Sequence, residues 1–507
     1  MFNAKLRLLL WPLMGFLAMA SVPAFAADLR QMTRAATDLH HGLSGITLVD
    51  SGAQALRYRD ALVAAASQSI DAQYYIWNSD ASGRYLAARL LEAADRGVQV
   101  RILLDDINVA GRDAVLAGLA SHPNVQVRIY NPSAARRGFL RLLGFVRDFS
   151  RLNRRMHNKS FTVDGAVTIV GGRNIGDEYF DLDPEMNFRD RELLVTGPVV
   201  AEVSAGFDSF WSSRWTLLAQ SLGGTDSIAD PTEPMDPAAL LASATREVVD
   251  LGYQVPAGLA GDFQATTLPA LIWAPARLVF DPPPTADQIA DSDDAQAVAR
   301  ELRALVATAR SEILAESAYF ILSDENLTEV ARLHSAGVKF RVLTNSLASN
   351  DLVTNHSGYA RRRPGMLDAG IELYELRPDA AACQRLIRIS RACDSHPAFS
   401  LHAKSMVLDR RVVYVGSFNL NLRSTYLNSE TALIVDSPEL GVQIAASIEE
   451  LLRPDSSWRV LRNSAGRLEW RTEVAGNEVR STHEPMAGRW KRLTSRFYRL
   501  FPLEKYL

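Results

Sequence analysis

His157-Asn-Lys159-Ser-Phe-Thr-Val-Asp164-Gly-Ala-Val-Thr-Ile-Val-Gly171-Gly172-Arg-Asn174 is met again as His402-Ala-Lys404-Ser-Met-Val-Leu-Asp409-Arg-Arg-Val-Val-Tyr-Val-Gly416-Ser417-Phe-Asn419. Every shared His, Lys, Asp, Gly and Asn sits 245 residues after its counterpart. One His-x-Lys pair is an ordinary surface feature. Two copies in one register, each inside an apolar run, mark an internal duplication. Each run reads as two short strands about a tight turn, at Asp164-Gly165 and at Asp409-Arg410. Strand alternation puts His157 and Lys159 on one face, about 6–7 Å apart. A two-residue turn then sets Gly172 opposite His157 and Ser417 opposite His402, with Asn174 and Asn419 at the strand exits. The glycine is expected where backbone approaches a ligand closely.

Neither copy is complete as an enzyme. Brought together, they supply two histidines, two lysines and two asparagines around one point. Lysines and amide donors suit the oxygens of a phosphoryl group undergoing displacement. Two histidines suit a two-step reaction, in which one attacks phosphorus and the other protonates the departing oxygen. The lysines supply the positive charge, so no metal or other cofactor is required. Glu430, before Thr431-Ala-Leu-Ile-Val, and Asp190, before Leu193-Leu-Val, are acids placed to accept a ring N–H and fix a histidine tautomer. The expected site is therefore catalytic His157, Lys159, Asp164, His402, Lys404 and Asp409. Asn174, Asn419, Gly172 and Ser417 are expected at the phosphate, and Asp190 and Glu430 behind the rings.

The duplicated pattern resembles the phospholipase D superfamily, which works through a phosphohistidine without a metal. Gln73-Tyr-Tyr-Ile-Trp77, Gly171-Gly-Arg-Asn-Ile-Gly-Asp-Glu-Tyr-Phe180 and His356-Ser-Gly-Tyr359 are similar to segments of bacterial cardiolipin synthases of the C type. The resemblance runs from about Leu43 to Arg453, with Pro502-Leu-Glu504 near the end. It implies an α/β protein of two sandwich-like halves related by a pseudo-twofold, with the active site at their interface. It implies a phosphatidyltransferase acting on phosphatidylglycerol and a second phospholipid such as phosphatidylethanolamine. It assigns the attack to His157, which the near-symmetric residues alone do not. Gln73 and Glu316 would lie near the pocket floor, and His356 near its mouth. Hydrolysis is the same chemistry with water as acceptor, and a phosphodiesterase acting on nucleic acid is the nearest rival substrate class.

The chain of 507 residues is too long for a single core. Helices alternating with apolar strands, Leu62–Ile70, Asp71–Trp77, Arg84–Arg96 and Gly97–Leu104, are answered by Ala295–Ala309, Ile313–Phe320, Asn326–Ser335 and Gly337–Leu343. That order predicts an α/β layered fold with mixed sheets. The division expected is 1–26 leader, 27–220 first half, 221–264 connector, 265–455 second half, opened by Ala270-Leu-Ile-Trp and Leu278-Val-Phe, and 456–507 tail. Lys5 and Arg7 precede an apolar run that ends at Ala24-Phe-Ala26, the pattern of a secretory signal peptide, with an uncleaved anchor as the other reading. A periplasmic setting is expected. Cys383 and Cys393 fit either a disulfide there or two free thiols.

The net charge is −3, which argues against a nucleic acid as the main partner. Locally the balance differs. Arg136 to Arg155 interleaves seven arginines with Phe139, Leu143, Phe145 and Phe149 against a single acid, Asp148. Trp490 to Phe501 repeats the theme with Lys491, Arg492, Arg496 and Arg499. Such basic amphipathic stretches predict contact with an anionic membrane surface. Nothing in the sequence names a protein partner.

Overall fold

The computed structural model describes residues 29–109, 116, 118–134, 147–222, 237–255, 269–285, 294–387, 393, 398–501 and 504–506. The leader at 1–26 and most of the first basic stretch, 136–146, lie outside the described residues.

The alternating apolar runs become two large mixed sheets. The first half contributes β1 (Ser44–Val49), β2 (Ser69–Tyr74), β3 (Gln99–Asp105), β4 (Val125–Tyr130), β5 (Ser160–Val163), β6 (Val167–Gly171), β7 (Met186–Arg189), β8 (Glu192–Thr196), β9 (Thr216–Leu218) and β10 (Ile272–Ala274). The second contributes β11 (Ala276–Phe280), β12 (Glu312–Ser317), β13 (Lys339–Asn345), β14 (Ile371–Leu376), β15 (Ala398–Leu401), β16 (Lys404–Leu408), β17 (Val412–Gly416), β18 (Thr431–Asp436), β19 (Ser457–Arg462), β20 (Leu468–Val474) and β21 (Asn477–Ser481). Spatial order in one sheet is β10-β1-β8-β6-β5-β2-β3-β4-β9; in the other it is β11-β18-β17-β16-β12-β13-β14-β19-β20-β21. From β1 to β9 and from β11 to β19 the two orders correspond strand for strand, so the duplication covers the whole sheet and not only the motif.

In each sheet three strands run parallel, β2-β3-β4 and β12-β13-β14, and among the described residues helices make the crossovers from β2 to β3, β12 to β13 and β13 to β14. The helix Ala81–Asp95 starts where Asp80 accepts the N–H of Gly83, and Asp324–Ser335 starts where Ser323 accepts that of Asn326. The helix expected over Leu62–Ile70 instead spans Gly52–Ala65, because Ser51 caps it, and Ile70 already belongs to β2.

Three boundaries differ from the sequence reading. β10, expected to open the second half, pairs antiparallel with β1 and completes the first sheet. The helix Pro237–Asp250, expected in a connector, lies against Ala81–Asp95 and buries Ala244 and Val248 in the first core. The expected tail begins with β19, β20 and β21, a meander that extends the second sheet.

The motif hairpins are shifted by one residue. Ser160 faces Val170 and Val163 faces Val167, leaving a three-residue loop, Asp164-Gly165-Ala166. Ser405 likewise faces Val415 across Asp409-Arg410-Arg411. The first two residues of each loop are left-handed, with φ of 54° and 59° at Asp164 and Gly165 and 50° and 52° at Asp409 and Arg410. Adding one residue to a two-residue turn slips the pairing by one, so Gly172 and Ser417 are not opposite the histidines.

The turn aspartates point away from the histidines. Asp164 accepts the backbone N–H groups of Ser67 (3.0 Å), Gln68 (2.8 Å) and Ser69 (2.8 Å) and the Ser67 hydroxyl. Asp409 does the same for Arg310, Ser311 and Glu312. Each ties its hairpin to the start of the neighbouring parallel strand, so both are fold-determining and not catalytic. Removing a buried carboxylate that satisfies several partly buried donors costs about 2–4 kcal/mol. Asp164→Ala is expected to lose that much in urea unfolding, and the more exposed Asp409→Ala less. Loss of turnover at unchanged stability would return Asp164 to the catalytic group.

Candidate active site

The two halves meet along a seam built by the segments that carry the chemistry. β7 pairs in parallel with β15 across it, Met186 with Ala398 through Arg189 with Leu401. The His402 N–H donates to the carbonyl of Arg189 (2.8 Å), and the His157 N–H to that of Ser429 (2.8 Å). Each histidine backbone is thus stitched to the residue just before the other half's acid. Ile46, Leu193 and Val195 share one core with Val407, Val415 and Leu433. Arg191 reaches across to Glu316 (2.6 Å), both fully buried. Breaking such a pair from one side costs about 3–5 kcal/mol, so the seam is not a sliding contact.

The acids are crossed. His157 Nδ1 lies 2.7 Å from Glu430 Oε2, and His402 Nδ1 lies 2.6 Å from Asp190 Oδ2. Each imidazole from one half is oriented by the carboxylate of the other. Lys404 Nζ is 2.9 Å from His402 Nδ1, but that nitrogen cannot accept from it while donating to Asp190. The shorter, charge-assisted contact keeps the proton on Nδ1 and leaves Nε2 as the reactive nitrogen. Lys159 and Lys404 each donate to the carbonyl of the histidine two residues before them.

The two ends of the site are electrically unequal. Burial, followed by the charges of Lys159, Lys404 and Arg423, holds His157 well below the ordinary imidazole range. Burial and Lys404 take His402 down to about 4 against the pull of Asp190. Burial alone would raise Asp190, but His402, Lys404 and Arg173 outweigh it and keep the carboxyl well below its ordinary range. Burial raises Glu430 to about 7, although it accepts from Ser417 Oγ (2.5 Å), Ser424 Oγ (2.6 Å) and Asn428 Nδ2 (3.3 Å) besides His157. Behind it, buried Asp281 accepts the Glu430 N–H. Lys404 is brought down to about 8 by burial, and Lys159 falls well below the ordinary lysine range for the same reason. Lys159 and Lys404 each act on both histidines, so the four side chains form one electrostatic unit.

Part of the expected phosphate-binding set has other work. The Asn174 carboxamide accepts from the Ile76 N–H and donates to the Tyr179 hydroxyl. Ser417 holds Glu430. A side chain at Gly172 would meet Asp190 Oδ1 at 2.4 Å and Lys404 Cδ at 3.2 Å, so glycine there makes room for the acid and the lysine, not for a ligand. Asn419 Oδ1 has no partner among the described residues, which leaves Asn419 the less committed of the two asparagines. Gln73 and Glu316 are tied to Met156 and Arg191, and His356 is fully buried beside Glu484 and Arg363.

Sequence reasoning missed the aromatic walls. Tyr75 meets the His157 ring edge-on (4.9 Å) and lies under Lys159 Nζ (5.2 Å). Tyr179 and Phe188 flank His402 at 5.1 and 5.2 Å. The strand alternation that places Gln73 also places Tyr75, two residues on, and would have found it.

The family described as cardiolipin synthase, PLD-like domain, matches residues 60–211 and 302–452, one span for each half. Cardiolipin synthase C of Escherichia coli (strain K12) is 37% identical over 470 residues, covering 92% of this chain and 96% of that relative. The chain belongs to the phospholipase D-like cardiolipin synthase family. A cardiolipin synthase of Geobacillus kaustophilus (strain HTA426) is 25% identical over 374 residues, covering 72% of this chain and 57% of its own length. The crystal structure of phosphatidylserine synthase from Haemophilus influenzae Rd KW20 superposes with a TM-score of 0.58 at 13% identity, covering 94% of this chain and all of that one, and so shares the family's fold.

Burial makes Lys159 and Lys404 lose their charge at lower pH than an exposed lysine, and the expected role of that charge on a phosphoryl oxygen turns this into an alkaline limit. The profile of kcat/KM, which reports the free enzyme, is expected to fall with an apparent pKa at or below about 8, and the profile of kcat at a higher value because bound phosphate favours the ammonium. A kcat/KM flat to about pH 10 would place the lysines outside the reaction.

Proposed function

We propose that this chain is a phosphatidyltransferase that makes cardiolipin, taking a phosphatidyl group from one phospholipid to a glycerol hydroxyl of phosphatidylglycerol. The crossed histidine–carboxylate pairs, with two lysines between them, carry the reading of two-step transfer at phosphorus. The lipid class rests on the relatives, among them one named cardiolipin synthase C.

In this scheme His157 Nε2 attacks the phosphodiester while His402 gives its Nε2 proton to the departing alcohol oxygen, leaving phosphatidyl-His157. Phosphatidylethanolamine as donor would release ethanolamine; phosphatidylglycerol would release glycerol. The incoming glycerol hydroxyl then loses its proton to His402 as its oxygen bonds to phosphorus, and the His157–phosphorus bond breaks. Two observations support this division of labour. Burial raises Glu430 to about 7, so it draws His157 toward imidazolium less than Asp190 draws His402; ionised, it accepts the His157 Nδ1 proton and leaves Nε2 free to attack, whereas Asp190 stabilises His402 when charged. An arriving phosphodiester offsets the lysine charges that hold both rings down, so His402 gains its proton when substrate binds. Lys159 and Lys404 stabilise the non-bridging oxygens throughout.

The working place in this reading is a membrane surface on the periplasmic side. Its supports are the leader pattern at 1–26 and the disulfide between Cys383 and Cys393, which belongs in an oxidising compartment. Within the first basic stretch Arg154 and Arg155 are internal, Arg155 pairing with Asp105 and Arg154 donating to the Tyr426 carbonyl, whereas Arg147 is exposed. The two internal arginines hold the segment leading to His157 and are not free for headgroups.

Purified protein mixed with phosphatidylglycerol and phosphatidylethanolamine is expected to yield cardiolipin by mass spectrometry. His402→Asn is expected to slow turnover and let a phosphatidyl group accumulate on His157. Phosphatidic acid as the sole product would make the enzyme a hydrolase, and the adduct on His402 would reverse the two roles.

A further inference from the structure

The helix Arg489–Tyr498 is mounted inside out. Trp490, Leu493 and Phe497, with Leu500 just beyond, recur at spacings of three and four residues and form one row, yet Trp490 is 78% and Leu500 75% exposed. A surface helix ordinarily turns such a row inward. Here the protein side is polar. Ser495 is buried and lies 3.4 Å from Ser357 Oγ, Lys491 Nζ donates to the carbonyls of Asn350 (2.8 Å) and Ala348 (3.3 Å), and Arg499 pairs with Glu484 (3.2 Å). The outward apolar row is therefore held in place by hydrogen bonds and is not a frayed end.

Arg489, Arg492 and Arg496 repeat the same spacing one residue earlier, with Arg499 continuing it but turned to Glu484, and no acid occurs from Pro485 to Leu503. In a chain of net charge −3 this concentrates basic charge beside the exposed apolar row. The segment also grips residues whose charges reach the site. At one end Lys491 grips the loop before Asp351, whose carboxylate accepts the Tyr319 hydroxyl (2.8 Å) and acts on Lys404. At the other, the Tyr506 carbonyl accepts from Arg423, which acts on His157, and its ring meets Phe149 (5.3 Å).

We infer that Arg489 to Phe501, with the turn Glu504–Tyr506, form a docking collar for an anionic bilayer, which seats the mouth of the site at the headgroup level. The inference rests on the lipid-transfer reading for its purpose and not for its geometry. Trp and Phe enter the acyl boundary while arginines meet anionic headgroups, which is the chemistry of an interfacial helix. A second copy of this chain fits worse, because a twofold contact would bring the same arginine row against itself.

The test uses the full chain with Trp490, Leu493, Phe497 and Leu500 all changed to Ser; all four are exposed, and far-UV circular dichroism checks the fold. Sedimentation with phosphatidylglycerol vesicles and turnover on those vesicles are each expected to fall by about tenfold or more. Turnover on monomeric dihexanoyl-phosphatidylglycerol is expected to stay unchanged. Arg489→Glu with Arg496→Glu is the second variant, expected to lose binding to anionic vesicles and to restore the fold control if the first variant is unstable. Vesicle binding equal to the parent in both, or equal loss on vesicles and monomers, would overturn the collar, as would conversion of a parent dimer to a monomer. A parent that binds vesicles through these residues but transfers no phosphatidyl group would leave the collar standing and sink the transfer reading instead.

Discussion

Each half of this protein orients the other half's histidine. His157 depends on Glu430 and His402 on Asp190, and the backbone N–H of each histidine is held by the residue just before that acid. Neither half alone has a histidine with a fixed tautomer. The duplicated sheets, the β7–β15 pairing and the shared core all serve to bring these crossed pairs into register. The active site exists only as a property of the closed seam.

Closing that seam buries two lysines, two histidines and two acids, a costly assembly unless charges are matched and hydrogen bonds completed. The protein meets the cost unevenly. Asp190 is surrounded by positive charge and stays anionic. Glu430 sits among hydroxyls and an amide with Asp281 behind it, and holds a proton more readily. Two halves with nearly the same topology thus acquire different acid–base characters at their two histidines, which is what a reaction with a nucleophile and a separate proton carrier needs. The asymmetry comes from the neighbours of the acids, not from the repeated motif.

Much of this was legible in one dimension. The repeated His-x-Lys and the alternation around it announced two equivalent sheets, and the spacing of Glu430 and Asp190 before apolar strands marked them as ring-orienting acids. The crossing was not legible, because sequence distance cannot say which half's acid faces which histidine. The hairpin slip turned on left-handed residues at Asp409 and Arg410, a conformation the arginine does not advertise. Asp164 belongs to the repeated motif for a structural reason, since a turn that ties two strands together must recur with the sheet. β19 to β21 carried a weak signal: Trp458, Val460 and Trp470 alternate, but β21 is almost wholly exposed and shows no apolar face. Asn174, Gly172 and Ser417 were read as ligand donors because the motif crowds them near the histidines. Their actual partners are a tyrosine, the passing Asp190 and Lys404, and Glu430.

The crossing is tested most directly by the ring nitrogens. In protein labelled with 15N-histidine, Glu430→Gln should move the Nδ1 and Nε2 resonances of His157 and leave those of His402 in place. Asp190→Asn should do the reverse. If each acid instead perturbed the histidine of its own half, the crossed seam would be wrong, and with it the account of how this protein assembles a site from two incomplete copies.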